Sequence, residues 1–332
     1  MQRYYPNLSS TVDFYFTQNE DDFIVDEQPI RFKNQGNFLV LKVVKKNQNT
    51  WDLIEKIANF LKCYPNEIGY AGLKDKHATT TQYISIPKKY AKDIKKYNHN
   101  KIQIVDTCLH NEKISIGDLR GNRFTINLHE VTFEKLNILE KRLKLISKNG
   151  MPNYFGYQRF GNDKEENLEK AKKIINGELI VKERKIQKMI ISAYQSDFFN
   201  RWLAGRLKTS KESNFKLIDG DVFLDHKSQK YFTPNNINKK IQDEFDRKNI
   251  SVTGLLCGRK VFRAIGKARK IEEKYDDMFM QEKGYRREAI VYPKNISTRY
   301  KKEDEKLTIS FELPKGSYAT VLLENLANRE LR

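Results

Sequence analysis

Between two apolar stretches lies the segment Gly72-Leu73-Lys74-Asp75-Lys76-His77-Ala78-Thr79-Thr80-Thr81-Gln82. It sets a carboxylate, two ammonium groups and an imidazole on consecutive positions of a polar turn. A carboxylate flanked by cations stays ionised and can act as a nucleophile. The same residues also make a solvated turn whose charges pair locally, and spacing alone leans to that plainer reading. Other chemistry is harder to place. The chain has no G-x-G-x-x-G for a dinucleotide or methyl donor. Residues 254–260, GLLCGRK, look superficially like a phosphate loop, but the glycines are too close and no Ser or Thr follows the Lys. The histidines at 77, 99, 110, 129 and 226 never fall at metal-ligand spacing. Cys63, Cys108 and Cys257 are far apart, with no C-x-x-C, which fits a reducing cytosol and gives no zinc framework. An enzyme built on this chain is expected to work without a metal or a bound organic cofactor.

The turn needs a scaffold, and periodicity predicts one. Residues 37–44, NFLVLKVV, predict a buried strand. Leu53, Ile54, Ile57 and Leu61 recur at helical spacing, with Thr50 as N-cap. Residues 68–87 predict a strand, the polar excursion and a second strand. Residues 90–101 predict a basic helix end and loop. Phe124, Ile126 and Leu128 alternate along a strand, and Leu136, Leu139, Leu143 and Ile146 mark an amphipathic helix over 133–147. Helices are predicted over 165–176, 185–208 and 267–283, with weak strands in 214–233 and a charged surface segment over 234–250. Strand character returns at 306–313, through Leu307, Ile309, Phe311 and Leu313, and a last helix follows. No internal repeat is visible. The strand-rich ends would form one α+β domain, interrupted by the middle of the chain.

The chain has 332 residues, so two domains are the first expectation. Hydrophobic residues make up 39%, enough for a core. Lys and Arg number 62 against 43 Asp and Glu, a net charge of +19. Phosphates reward such an excess through counterion release, so nucleic acid is the leading partner. An anionic membrane would want a basic amphipathic helix or a lipid anchor, and neither is visible. No signal-peptide core and no membrane-length apolar run is found, so a cytoplasmic location is expected.

Five ordered blocks resemble the TruD family of tRNA pseudouridine synthases. Gly72–Gln82 resembles the family's G-x-K-D-x-x-A-x-T-x-Q. Asp22-Phe23-Ile24-Val25-Asp26-Glu27 is similar to D-F-x-V-x-E, and Arg120-Gly121-Asn122-Arg123-Phe124 to the G-N-x-F strand start. Residues 153–161, NYFGYQRFG, resemble N-Y-F-G-x-Q-R-F-G, and residues 313–320, LPKGSYAT, resemble L-P-x-G-x-[FY]-A-T. The blocks run from residue 22 to 320, nearly the whole chain.

The resemblance implies isomerisation of uridine to pseudouridine in tRNA, at uridine 13 of the D arm in bacterial members, with Asp75 as nucleophile and no cofactor. It assigns Phe23, Asn122 and Tyr318 to substrate binding and Phe124 to the wall beside the base. Aromatic faces suit stacking on an extruded base, and an amide suits a uracil edge. Each could instead be structural: Phe23 and Phe124 as core, Asn122 as a turn residue, Tyr318 as packing before the last helix. Lys74, His77 and Gln82 would support the catalytic turn, and Arg159 would contact RNA or bridge domains. Some relatives carry a basic residue before D-F-x-V-x-E; here Tyr4 to Ile30 contains no Lys or Arg and Thr17 stands near that place. The implied fold is a pseudouridine-synthase-type mixed, mostly antiparallel sheet, formed by 1–150 with 291–332, with an inserted α/β domain over 151–290. In that insertion Leu255 replaces a common proline. The partner implied is tRNA, with no obligate protein partner. A catalytically silent RNA-binding protein on this scaffold, or a synthase acting on another RNA, are the alternatives.

Overall fold

The computed structural model describes residues 3–6, 10–161, 163–210 and 215–331. It divides into two compact units, one of Asp13–Leu143 with Pro293–Gly316, the other of Met1–Val12, Lys144–Tyr292 and Ser317–Arg332.

The first unit is built on an eight-stranded mixed sheet. Its N-terminal strands are β1 (Phe23–Pro29), β2 (Phe38–Lys46), β3 (Gly69–Tyr70), β4 (Thr79–Pro87), β5 (Ile102–His110) and β6 (Leu119–Leu128). Strands Lys294–Lys301 and Lys306–Pro314 return from the far end of the chain, the second pairing with β6 and the first with the second. All pairings are antiparallel except β1 with β4. The alternation read in 122–128 is borne out, with Phe124, Ile126 and Leu128 buried. Helix α1 (Thr50–Leu61) covers part of the sheet, burying Leu53, Ile54, Ile57 and Leu61 against Leu41 and Val43 of β2 and Ile84 and Ile86 of β4.

Helix α1 is capped by Asn49, not by Thr50 as expected. The Asn49 side chain accepts from the Asp52 N–H while Asp52 accepts from the Asn49 N–H, a reciprocal box that leaves Thr50 inside the helix and buried. The spare Thr50 hydroxyl acquires another use at the 72–82 turn.

In the second unit the helix Arg184–Thr209 packs on a four-stranded sheet of Tyr285–Glu288, Ile250–Leu256, Val222–Asp225 and Tyr231–Phe232. Gly254 lets the helix come close: a Cβ there would lie 2.3 Å from the Trp202 ring. The expected division differs at both chain ends, since Met1–Val12 and Ser317–Arg332 group with the middle stretch. Buried polar links are the physical reason. Arg3 donates to Phe155 O at 2.7 Å, Tyr154 Oη donates to Tyr4 O at 2.9 Å and Ser317 Oγ donates to Asn153 Oδ1 at 3.3 Å, while Tyr5 Oη, donating to Glu324 at 2.8 Å, ties the two ends to each other. The terminal helix Ala319–Ala327 is buried along its whole length.

The helix expected over 267–283 is shorter, Gly266–Glu272 followed by a turn at Glu273–Tyr275. Its acids are drawn inward: Glu272 pairs with Arg286, and Asp276 with Arg263 and Arg269. The segment expected as mostly surface, 234–250, contains the helix Lys239–Asp246, anchored by Phe245 in the core.

Candidate active site

The strand register puts a set of side chains on one sheet face. Directly paired residues share a face and alternate residues along a strand share it too. Glu27 pairs with Asn122, Val25 with Phe124 and Phe23 with Ile126; Phe124 pairs with Phe311. Val25 pairs across β4 with Thr80, Thr80 with Lys45, and Gln82 with Val43. Phe23, Glu27, Asn122, Phe124, Thr80, Gln82 and Lys45 therefore line the same side. The aromatic members form a packed row. The rings of Phe23 and Phe124 are 6.1 Å apart, and Phe124 stacks on Phe311 at 5.5 Å. Phe23 is 2% exposed and Phe124 7%, so both are part of the floor of this face.

The 72–78 loop is latched to that face at several points. Lys74 N–H donates to Thr50 Oγ1 at 2.8 Å. Thr50 Oγ1 donates to Gln82 Oε1 at 3.2 Å, and Gln82 Nε2 donates to Gly72 O at 2.7 Å. Asn47 N–H donates to Ala78 O at 3.2 Å at the far end. Buried Gln82 and Thr50 thus hold the backbone on either side of Leu73 while Asp75, Lys76 and His77 stay exposed. Gln82 is a latch of the loop. His77 makes none of these bonds.

Lys74 turns inward, away from its exposed neighbours. Its Nζ lies 2.7 Å from Glu27 Oε2 and donates to Asn122 Oδ1 at 2.9 Å. This joins the turn that carries Asp75 to the 22–27 and 120–124 blocks. Glu27 is 3% exposed and Lys74 8%, so the pair is desolvated, and Glu27 Oε1 also accepts from Tyr83 N–H at 3.2 Å.

Lys45 is a second buried lysine, 1% exposed, with its Nζ donating to Gln48 O. Burial pulls its ammonium down to about 8, and the Lys74 charge acts in the same direction; Asp75 and Asp52 oppose the shift. A lysine thus lies in the electrostatic field of Asp75 although residues 4–30 contain no Lys or Arg. Sequence reading missed Lys45 and Glu27. The signal was available, since Leu41, Val43 and Lys45, like Phe23, Val25 and Glu27, fall on one side of an alternating strand.

Tyr318 and Arg159 belong to the second unit and come together around Phe155. The Tyr318 ring meets Phe155 edge-on at 6.1 Å. The Arg159 guanidinium stands 5.3 Å above the Phe155 ring and donates to Ser196 Oγ at 3.1 Å. Arg287 lies 4.0 Å from the same ring and donates to Asn153 O and Oδ1. The 153–161 block is therefore a tightly bonded aromatic and arginine cluster. Among the described residues no group of three or more His, Cys, Asp or Glu could hold a metal, and no helix is long and apolar enough to cross a membrane.

An exposed carboxylate on a turn latched to a sheet face that carries an amide and an aromatic floor is an arrangement suited to nucleophilic chemistry. Comparison with known proteins supplies the family. A family profile described as tRNA pseudouridine synthase D (TruD) matches residues 2–182 and 180–326. The chain is 40% identical to the tRNA pseudouridine synthase D of Sulfurimonas denitrificans over the full length of both. It is 39% identical to that of a Nitratiruptor species over 97% of each chain, and 38% to that of Wolinella succinogenes over 100% and 99%. A crystal structure assigned as TruD from Methanosarcina mazei superposes with a TM-score of 0.77 at 21% identity, covering 98% of this chain and 96% of that one, which shows the fold. The chain belongs to the TruD family of tRNA pseudouridine synthases.

Proposed function

We propose that this protein isomerises uridine to pseudouridine in tRNA, at uridine 13 of the D arm, with Asp75 as nucleophile. The observation that carries the reading is the Lys74 bond to Asn122, which holds the Asp75 turn against the 120–124 block. A uridine extruded from the RNA meets a carboxylate and an amide on one face. The N1–C1′ bond breaks, the uracil turns, and C5 bonds to C1′. The C5 proton is lost and N1 gains one, so the product is an isomer and no oxidant is consumed. Asp75 supplies the electron pair that opens this sequence and leaves at its end. Phe23 and Phe124 form the floor beneath the base.

The assignment of Tyr318 to substrate rests on its block resemblance, and Arg159 beside it is assigned to RNA contact. Catalysis belongs to the unit with the eight-stranded sheet. The middle of the chain is assigned as the family's inserted domain. The enzyme works in the cytoplasm, where its substrate resides. Incubation with unmodified tRNA transcripts, followed by site-resolved pseudouridine detection, tests this. A single new pseudouridine at position 13 is expected. No pseudouridine in any tRNA would support a silent RNA-binding protein, and conversion confined to another RNA would redirect the substrate.

A further inference from the structure

Lys74 has three donors and no acceptor. The atom of Asn122 that faces it at 2.9 Å is therefore the carbonyl oxygen, which fixes which way round the amide sits. Glu27, buried and 2.7 Å away on the other side of the Lys74 ammonium, holds that side chain in place. Because the amide is planar, turning Oδ1 to Lys74 turns both Nδ2 hydrogens elsewhere. Asn122 is half-buried, so its side chain is not sealed off by the protein.

We infer that the Glu27–Lys74 pair locks Asn122 as a donor toward the base, and that this lock selects uracil over cytosine. The inference rests on the proposed function. Uracil presents O4 where cytosine presents an amino group, so a fixed donor meets an acceptor in uracil and another donor in cytosine. The lock also suits the reaction. When the freed ring turns about its N3–C6 axis, O2 takes the place of O4, and the same donor holds a carbonyl before and after the turn. An unlocked amide could rotate and accept from the cytosine amino group, so selection depends on Lys74 as much as on Asn122. Lys74 and Glu27 are positioning residues in this scheme.

The test first maps the position at which the wild-type protein forms pseudouridine. Two tRNA transcripts are then made that differ only by U or C there, and their affinities are measured with the Asp75→Asn protein, which holds substrate without turnover. The U transcript is expected to bind about tenfold more tightly or better, the scale of one buried polar group left unpaired. Adding Asn122→Asp replaces the donor by an acceptor and should abolish or invert the ratio. Adding Lys74→Met should bring the ratio near one. Because that change strands the buried Glu27 charge, the neutral double change Lys74→Met with Glu27→Gln is measured beside it and should give the same ratio in a folded protein. Equal affinity for U and C before these changes, or an undiminished ratio in the double variant, would overturn the lock while leaving pseudouridine formation intact. Absence of pseudouridine from every tRNA would overturn the functional reading as well.

Discussion

Replacing Asp75 by Asn preserves its shape and removes its charge, so it separates chemistry from folding. Turnover should vanish while tRNA affinity and thermal stability stay near wild type. Retention of a tenth of the activity in a single-turnover assay would refute the nucleophile. Lys45 makes a prediction of the opposite kind, on stability. Its folded pKa of about 8 lies below the ~10.4 of an unfolded lysine. Between these values the unfolded chain binds more protons, so stability contributed by this group rises with pH from about 8 to about 10, by at most ~1.4 kcal/mol per pH unit. Above that, the buried Tyr5, Tyr154 and Tyr194 phenols, whose pKa values burial raises, act the other way. Urea midpoints at pH 7.5, 8.5 and 9.5 should climb for wild type relative to Lys45→Met. Parallel curves would show that Lys45 is not a buried charge. The carboxylate proposed as nucleophile could be picked out from the sequence as a residue type in a polar turn. Its buried surroundings went unread: alternation places Lys45 on the side of Leu41 and Val43, but a lysine in a strand is passed over as solvent-facing until the partner strands fix which side is covered.

At the scale of elements, helix α1 and the Asp75 turn share a part. Thr50 begins the helix and also receives Lys74 N–H, while Gln82 on β4 receives the Thr50 hydroxyl and holds Gly72 O. Thr50→Val keeps the buried volume and removes the latch. It should cost about 1–2 kcal/mol of stability and lower kcat more than it raises KM, since the loop would sample positions away from the base. Unchanged kcat with a shifted KM would assign Thr50 to binding. Sequence periodicity found α1 and the strands over 122–128 and 306–313 because each has one wet face, and a run of Val and Leu found β2 over 37–44. It missed β5, the strand Lys294–Lys301 and the strand Ile250–Leu256. The last is buried at all but its final residue, so it shows no alternation to read. The cap was misplaced by one residue because Asn49 and Thr50 are both good caps, and only the reciprocal Asp52 bond distinguishes them.

For the whole molecule, ordered blocks carried the family through most of the chain, but not the borders of its compact units. Met1–Val12 and Ser317–Arg332 are short, and their membership is set by buried contacts such as Tyr5 with Tyr154 that no local pattern announces. The net charge of +19 is a property of the entire chain, so its consequence is measured on the entire chain. Each phosphate neutralised by a Lys or Arg releases condensed counterions, adding roughly 0.7 to the log–log salt slope on single strands and 0.9 on duplex. A tRNA held through several such contacts should lose affinity by orders of magnitude between about 50 and 200 mM salt. Exposed lysines are numerous, and only those that touch phosphate count. Alanine changes at single exposed Lys should therefore sort into two groups, one lowering the slope by about one contact and one leaving it unchanged. Asn122→Ala belongs to neither: if the proposed site holds, it should impair conversion of the bound uridine and leave the slope as it was, since in that site it meets a base edge and no phosphate. Filter binding of unmodified tRNA across a salt series, on wild type and these variants, reads the slopes directly. A nearly flat salt dependence in the wild-type protein would mean that the basic excess is plain solvated surface, and that tRNA is held by other means.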